Sequence, residues 1–340
     1  MHLITLVSDQ TLPNILFINQ FGLDAFDTFF FITSQKMEEQ GRTQAIIDCC
    51  GIPKNRFDTI IVNENSIIEI IRELQRKFAR KEPICLNITG GNKLMSLAAF
   101  SHFSSPTTQV YYLPLGQPAF HRIWPTFEEV PITVEISLRD YLKAYGLRML
   151  SGTTLDEVRH RIPEAKCIFQ EMVRHQGKFP DILIHMAQSG TEHDDKPFYT
   201  GDWLEIWTGD LIRQHFGLRK EQVMINIKLS RSQNHNTQEN TEYDVVFTIR
   251  NRLFVCECKV FTNGIFTKHK INSDWYKLAG LQLDFGLTAT AFFITANTIQ
   301  TRVYRNLNDL RKLYRIHSIA DFHILRDADK RSSFLNKLLK

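Results

Sequence analysis

The chain has 340 residues, 43% hydrophobic and 23% charged, with 41 Lys and Arg against 37 Asp and Glu. That composition excludes disordered and collagen-like chains and leaves room for two globular domains. Residues 1–150 carry 14 basic and 15 acidic side chains and the remainder 27 and 22, so the second half is mildly basic and compatible with nucleic acid.

No apolar run is long enough to span a bilayer. The start, MHLITLVSDQTLPN, lacks the basic region and cleavage pattern of a signal peptide. Cys49, Cys50, Cys85, Cys167, Cys256 and Cys258 make neither a CxxC zinc spacing nor a disulfide framework. The expectation is a protein of the reducing cytoplasm with no membrane partner.

In the first half, short apolar runs alternate with helical patterns. His2–Val7 reads as a strand, Ser8–Thr11 as a polar loop and Leu12–Phe21 as a helix ended by Gly22. Further strands are expected at Thr28–Ile32, Thr59–Val62, Ile84–Ile88 and Gln109–Leu113. Helices are expected at Gln35–Cys50, Ser66–Ala79 and Lys93–Phe103. This order implies an α/β, Rossmann-like, doubly wound sheet, with ligands beyond the carboxyl ends of its strands. Pro114, Pro118, Pro125 and Pro131 predict excursions and edge strands. Thr133–Ile136 reads as a last strand and Leu138–Leu150 as a helix leading out of the domain.

The loop Thr89-Gly90-Gly91-Asn92-Lys93 joins a buried strand to a helix. Two glycines permit close backbone approach, and the helix N-terminus offers free amides to an anion. A phosphate site and a plain tight turn both fit it. It is neither GxGxxG nor Walker A.

The second half begins with helical connections over 151–189, then Thr191–Asp195 as a solvated loop. Asp202–Phe216 reads as an amphipathic helix with Trp203, Ile206, Trp207 and Leu211 on one stripe and Asp202 as cap. Glu205 sits near the edge of that stripe, as a surface charge or as a group aimed at a site. Val223–Leu229 alternates as a strand, and Ser230–Asn240, with His235, is a polar loop. Thr241–Val260 reads as two strands about an Arg250-Asn251 turn, and that register puts Asp244 opposite Glu257. Such a pair has Cβ atoms ~5 Å apart, and two carboxylates there repel unless a cation lies between them. Lys259 lies two residues beyond Glu257 on the same face. A carboxylate pair with a lysine suits Mg²⁺- or Mn²⁺-assisted phosphodiester hydrolysis. The same register faces Glu242 with Lys259, so a simple ion pair is the competing reading. Ser273–Phe285 is expected to be helical, and Lys277 and Gln282 read there either as groups facing substrate or, more commonly for such residues, as exposed polar side chains. Ala291–Thr295 reads as a strand, Arg302–Tyr314 as a helix, and the tail from Arg326 as basic and solvated.

The two loops Ser8–Asn14 and Thr89–Met95 together resemble those of a CARF domain, the CRISPR-associated Rossmann-fold sensor of cyclic oligoadenylate. The resemblance implies that Ser8, Asp9, Gln10, Thr11, Thr89, Gly90, Gly91, Asn92 and Lys93 contact the ligand across a homodimer axis. Thr33 and Ser34 would line the same rim. In the second half, Glu205, Asp244 and Glu257-Cys258-Lys259 resemble the PD-(D/E)xK restriction-endonuclease-like nucleases, although Tyr243 stands where the name has proline. That resemblance implies Asp244, Glu257 and the Cys258 carbonyl as metal ligands, with Lys259 assisting the attacking water.

The halves together resemble CARF-nuclease effectors of type III CRISPR systems. The implied organisation is a sensor at 1–148, a helical connection at 149–190 and a restriction-endonuclease-like α/β nuclease at 191–340. The implied activator is a cyclic oligoadenylate, cyclic tetra-adenylate first among them. The implied cofactor is Mn²⁺ or Mg²⁺, and the substrate single-stranded DNA, RNA or both, with nicking of supercoiled DNA also open. The competing class is a non-enzymatic, nucleotide-responsive regulator that binds nucleic acid or a partner.

Overall fold

A computed structural model describes residues 1–78, 83–189, 195–231, 241–262, 275, 279 and 285–339. The loop around His235, most of the Thr191–Asp195 loop, Lys277, Gln282 and nearly all of the Ser273–Phe285 helix lie outside the described residues. The chain forms two compact units. The first is built on Met1–Arg148 and includes Gly286–Thr288; the second is built on Met149–Ser230 and Ala289–Lys340 with the hairpin between them.

The first unit is an α/β sandwich around one seven-stranded sheet of order β3-β2-β1-β4-β5-β6-β7. Its strands are β1 (His2–Leu6), β2 (Phe29–Ser34), β3 (Phe57–Val62), β4 (Ile84–Asn87), β5 (Gln109–Tyr112), β6 (Ala119–Trp124) and β7 (Glu128–Pro131). The first five are parallel and the last two run antiparallel at the edge. Parallel neighbours need crossovers, supplied by α1 (Leu12–Phe21), α2 (Gln35–Glu39), α3 (Arg42–Cys50), α4 (Ile67–Lys77) and α5 (Lys93–Phe103). Strand order reverses between β1 and β4, so the switch point lies between the loops that follow them. Ile4, Leu6, Ile32, Leu86, Met95 and Ala99 form the core beneath it.

Three expectations in this half change. The helix expected at Gln35–Cys50 is two helices, because Gly41 takes φ +67° and breaks the run. Thr133–Ile136 is not a strand; the edge is β6 and β7 instead, consistent with the prolines. The helix expected at Leu138–Leu150 stops at Ala144 as α6 (Leu138–Ala144). Gly146, at φ +74°, turns the chain into a strand, β8 (Leu147–Thr154).

The second unit carries a six-stranded sheet of order β13-β12-β11-β10-β9-β8. Its strands after β8 are β9 (Val223–Arg231), β10 (Thr241–Ile249), β11 (Arg252–Lys259), β12 (Thr290–Thr295) and β13 (Ile316–Ala320). β9, β10 and β11 are antiparallel, whereas β11, β12 and β13 are parallel. Helices α7 (Ile162–Arg174) and α8 (Asp181–Ser189) follow β8. A single turn, α9 (Asp195–Pro197), and a wider π turn over Phe198–Asp202 then lead into α10 (Trp203–Phe216). Residues 149–174 are therefore part of this unit, with β8 closing the sheet edge and α7 packed on α10. Phe169 and Trp207 stack with centroids 4.0 Å apart.

Asp202 makes no side-chain cap to α10, because the π turn places helical backbone ahead of it. Burial on α10 exceeds one stripe and includes Leu204, Thr208, Gly209 and Asp210 as well as Trp203, Ile206 and Trp207. The tail is not simply solvated. After α11 (Thr301–Leu313) and α12 (Phe322–Leu325), α13 (Ala328–Lys337) brings Phe334, Leu335 and Leu338 into the core.

Candidate functional sites

In the first unit, the loops after β1 and β4 leave neighbouring strands at their carboxyl ends. Gly90 is buried, and an added Cβ would lie 2.0 Å from the Leu6 carbonyl oxygen. Its close approach is therefore to β1 rather than to open space. Gly91 takes φ +69°, a left-handed turn that starts the helix. Asn92 caps α5: its side chain accepts from Met95 N at 2.9 Å and donates to the Glu64 carbonyl at 2.7 Å. Thr89 donates its hydroxyl to Asn87 Oδ1 at 2.6 Å and accepts from Leu113 N at 2.9 Å. Thr11 is fully buried and donates to the Ala144 carbonyl.

Several polar side chains singled out in the sequence thus hold the loops in shape. Lys93 remains exposed at the first turn of α5, beside amides that carry partial positive charge. Ser8, Asp9 and Gln10 form a short turn in which Gln10 N donates to Ser8 Oγ at 3.3 Å. Arg42 meets Asp9 at 3.4 Å. Thr33 and Ser34 end β2 buried, and Ser34 Oγ has no hydrogen-bond partner. Asn87 Nδ2 and Asn14 Oδ1 are also buried without a partner. Sequence reading missed Asn87, which stands on a strand pattern that otherwise looks apolar, and took Asn14 only as the end of the first loop motif, not as a site residue.

In the second unit, Arg250 and Asn251 both take positive φ, +50° and +61°, as a two-residue hairpin of the primed type requires. Ile249 pairs with Arg252, and the register runs to Val245 opposite Cys256. One step further in that register, Asp244 faces Glu257. Both are buried, at 8% and 3% exposure, on central strands of the sheet.

Lys259 joins them. Its Nζ lies 2.6 Å from Glu257 Oε1 and 4.0 Å from Asp244 Oδ2. The expected alternative pairing of Lys259 with Glu242 does not form; Glu242 lies 3.8 Å from Lys228 instead. Asp244 Oδ2 also accepts the Cys258 backbone N–H at 2.7 Å, which fixes the carboxylate against β11. Glu205, on α10, has a buried Oε2 without a partner. Burial pushes its carboxyl well above the usual range, and the charges of Asp244 and Asp202 push the same way. Only Lys259 opposes them. Burial and the adjacent Cys256 likewise hold the Cys258 thiol far from ionisation, so its backbone rather than its sulfur is the group available for chemistry.

The donor set suits a hard divalent cation: two carboxylates, the backbone carbonyl of the residue that follows the second of them, and a third acid with an orphaned oxygen. Among the described residues no three such side chains converge closely enough to cage an ion. What converges is the Asp244–Glu257 pair, closed by the Lys259 ammonium.

Asn297 supports this site and was not foreseen. Buried in the loop after β12, it accepts from Phe261 N at 2.7 Å and donates to the Phe261 and Gly177 carbonyls. It thereby pins the chain just beyond Lys259. A lone loop asparagine gives no pattern to find.

Comparison with known proteins places both halves. Residues 2–141 match the family model of the Card1 CARF domain. Residues 192–321 match that of the Card1-like endonuclease domain. No curated protein sequence matches the chain. Among solved structures, the protein VC1899 from Vibrio cholerae superposes with a TM-score of 0.74 at 15% identity, over 99% of this chain and 98% of that one. Can2 from Sulfobacillus thermosulfidooxidans, solved with cyclic tetra-adenylate, gives 0.74 at 19% identity, over 100% and 98%. A type III CRISPR defence DNA nuclease activated by cyclic oligoadenylate gives 0.56 at 16% identity, over 87% of this chain and 45% of that one. At these identities the likeness is one of fold. Among the described residues no helix is long and apolar enough to cross a membrane.

Proposed function

Since this chain belongs to the CARF nucleases, a Card1-type CARF domain joined to a Card1-like endonuclease domain, we propose that it is a cyclic-oligoadenylate-activated nuclease of CRISPR defence. The observation that carries this reading is the buried Asp244–Glu257 pair closed by Lys259, standing in the half that matches the endonuclease model. Two acids buried together have no structural advantage over apolar side chains. They make chemical sense where a cation is to be held.

The cofactor we assign is Mn²⁺ or Mg²⁺, held by Asp244, Glu257 and the Cys258 carbonyl. It would polarise the scissile phosphate and acidify an attacking water. Lys259, released from Glu257, is placed to position that water and to offset charge on the phosphate. Glu205 presents its orphaned carboxyl oxygen as a further acceptor.

Single-stranded DNA or RNA is the substrate class we assign, on the match of the second half to the Card1-like endonuclease domain. The activator is cyclic tetra-adenylate, as in the bound state of Can2, with Lys93 and the amides of α5 meeting its phosphates. A homodimer fits an activator of that symmetry. Ile68 on α4 and Leu97 on α5 leave apolar surface exposed, 61% and 59%, as a second copy would use. The cytoplasm is the assigned compartment.

The test is cleavage of labelled single-stranded DNA, RNA and supercoiled plasmid with Mn²⁺ and cyclic tetra-adenylate present, beside Glu257→Ala. Loss of one or more substrates, abolished in the variant, is the expected result. Intact substrates throughout would remove the nuclease assignment.

A further inference from the structure

Gln10 makes two contacts that a ligand-facing residue does not need. Its Oε1 accepts the Tyr145 hydroxyl at 3.3 Å and the Leu287 backbone N–H at 3.0 Å. Both donors belong to the first unit, although Leu287 is far along the chain. Tyr145 is 7% exposed, and its carbonyl accepts from Arg42 at 3.1 Å. Arg42 also meets Asp9, so the first loop and Tyr145 form one network. Gly286 takes φ +83°, and a Cβ there would lie 2.3 Å from the Tyr145 hydroxyl. The chain can pass Tyr145 this closely only as glycine. The Leu287 side chain is 66% exposed, so the fold holds this residue by its N–H rather than by packing.

Where the segment leads gives the contact its meaning. Three residues after Leu287 the chain enters β12, which pairs in parallel with β11 and sets Phe293 beside Glu257. An amide oxygen has two lone pairs, and both of Gln10's are taken. A ligand that engages this oxygen must displace one of the donors.

We infer that Gln10 is a latch shared between the effector and the Leu287 backbone: when its amide turns to the bound nucleotide, the strand-leading segment Gly286–Thr288 is released. This inference rests on the sensor reading above. The ligand-free protein holds the segment; the liganded protein lets it go. Linkage makes the effect reciprocal. Whatever weakens the latch must strengthen ligand binding, because less is broken on binding. One hydrogen bond of ordinary strength corresponds to a change of about two- to tenfold.

The experiment is calorimetric titration of the full-length, metal-free protein with cyclic tetra-adenylate. Tyr145→Phe removes one donor and Leu287→Pro the other. Tyr111→Phe is the control, since it removes a tyrosine hydroxyl of the same unit that donates to Gln109 and not to Gln10. Both latch variants are expected to bind about two- to tenfold more tightly than wild type, and the control unchanged. Unchanged or weaker binding by Tyr145→Phe, with its melting temperature preserved, would overturn the latch alone. That variant decides the matter even if Leu287→Pro does not fold. A wild-type protein that fails to bind at all would overturn the sensor reading, and the latch with it.

Discussion

The loops of the first unit and the hairpin of the second handle polar residues in opposite ways. In the loops, Thr11, Thr89 and Asn92 are committed to backbone partners, and Gly90 is pressed against Leu6. Around them, Ser34 Oγ and Asn87 Nδ2 at strand ends and Asn14 Oδ1 on α1 stay unsatisfied. In the hairpin, two buried carboxylates face each other and a third acid keeps an orphaned oxygen. One region is polar for the sake of its own shape. The other is polar against its own stability, which is where chemistry is to be sought.

That contrast can be broken most severely at the hairpin. Asp244→Ala and Glu257→Ala should each lower cleavage by at least about a hundredfold, as loss of a metal-site group does, while leaving nucleotide affinity intact. A kinetic and calorimetric pair of measurements on each variant checks both halves. Residual cleavage near wild type would put the site elsewhere.

Lys93→Ala comes next. Removing one exposed ammonium from the α5 terminus should weaken cyclic tetra-adenylate binding about ten- to hundredfold. Basal metal-dependent cleavage and melting temperature should not change, because Lys93 is not used by the loop itself. Gly90→Ala should behave in the reverse manner. Its Cβ has no space beside Leu6, so unfolding of the first unit should occur about 1–3 kcal/mol more easily, read as a lower denaturant midpoint. If Gly90→Ala were as stable as wild type, the loop would be less constrained than its geometry indicates.

The smallest effect is the most diagnostic of opposition between function and stability. The Glu205 carboxyl is held above its ordinary value, so the fold favours its protonated form. That contribution is fully present below the unfolded value near 4.3 and fades as pH rises towards the folded one. In EDTA at pH 7.5, Glu205→Gln should therefore melt higher than wild type, by roughly 2–4 °C for each 1 kcal/mol relieved. At pH 4 the difference should vanish. A variant less stable at pH 7.5 would mean that Glu205 has a partner supporting it.

Much of this was legible beforehand, for identifiable reasons. The β/α alternation of the first half and the period-two pattern around Asp244 and Glu257 are direct consequences of burial on a sheet. They survive because central strands tolerate little else. The hairpin register followed from one assumption about Arg250-Asn251, although that pair is not a favoured turn. What escaped was decided by backbone conformation or by distant partners. Gly41 breaks a helix whose side chains continue to look helical. Gly146 marks the end of α6, yet the apolar residues after it suggested more helix where β8 forms. In α13, lysines and arginines masked Phe334, Leu335 and Leu338, whose burial depends on the rest of the core. Asn297 acts through Phe261 and Gly177, which no local pattern connects.

The central claim is that one chain couples a nucleotide signal to metal-assisted cleavage. The most direct test is initial-rate cleavage of single-stranded substrate with Mn²⁺ and cyclic tetra-adenylate each present or withheld. The account predicts fast cleavage only when both are present, none without metal, and a slow basal rate without the nucleotide. Equal rates with and without cyclic tetra-adenylate, at saturating metal, would contradict it.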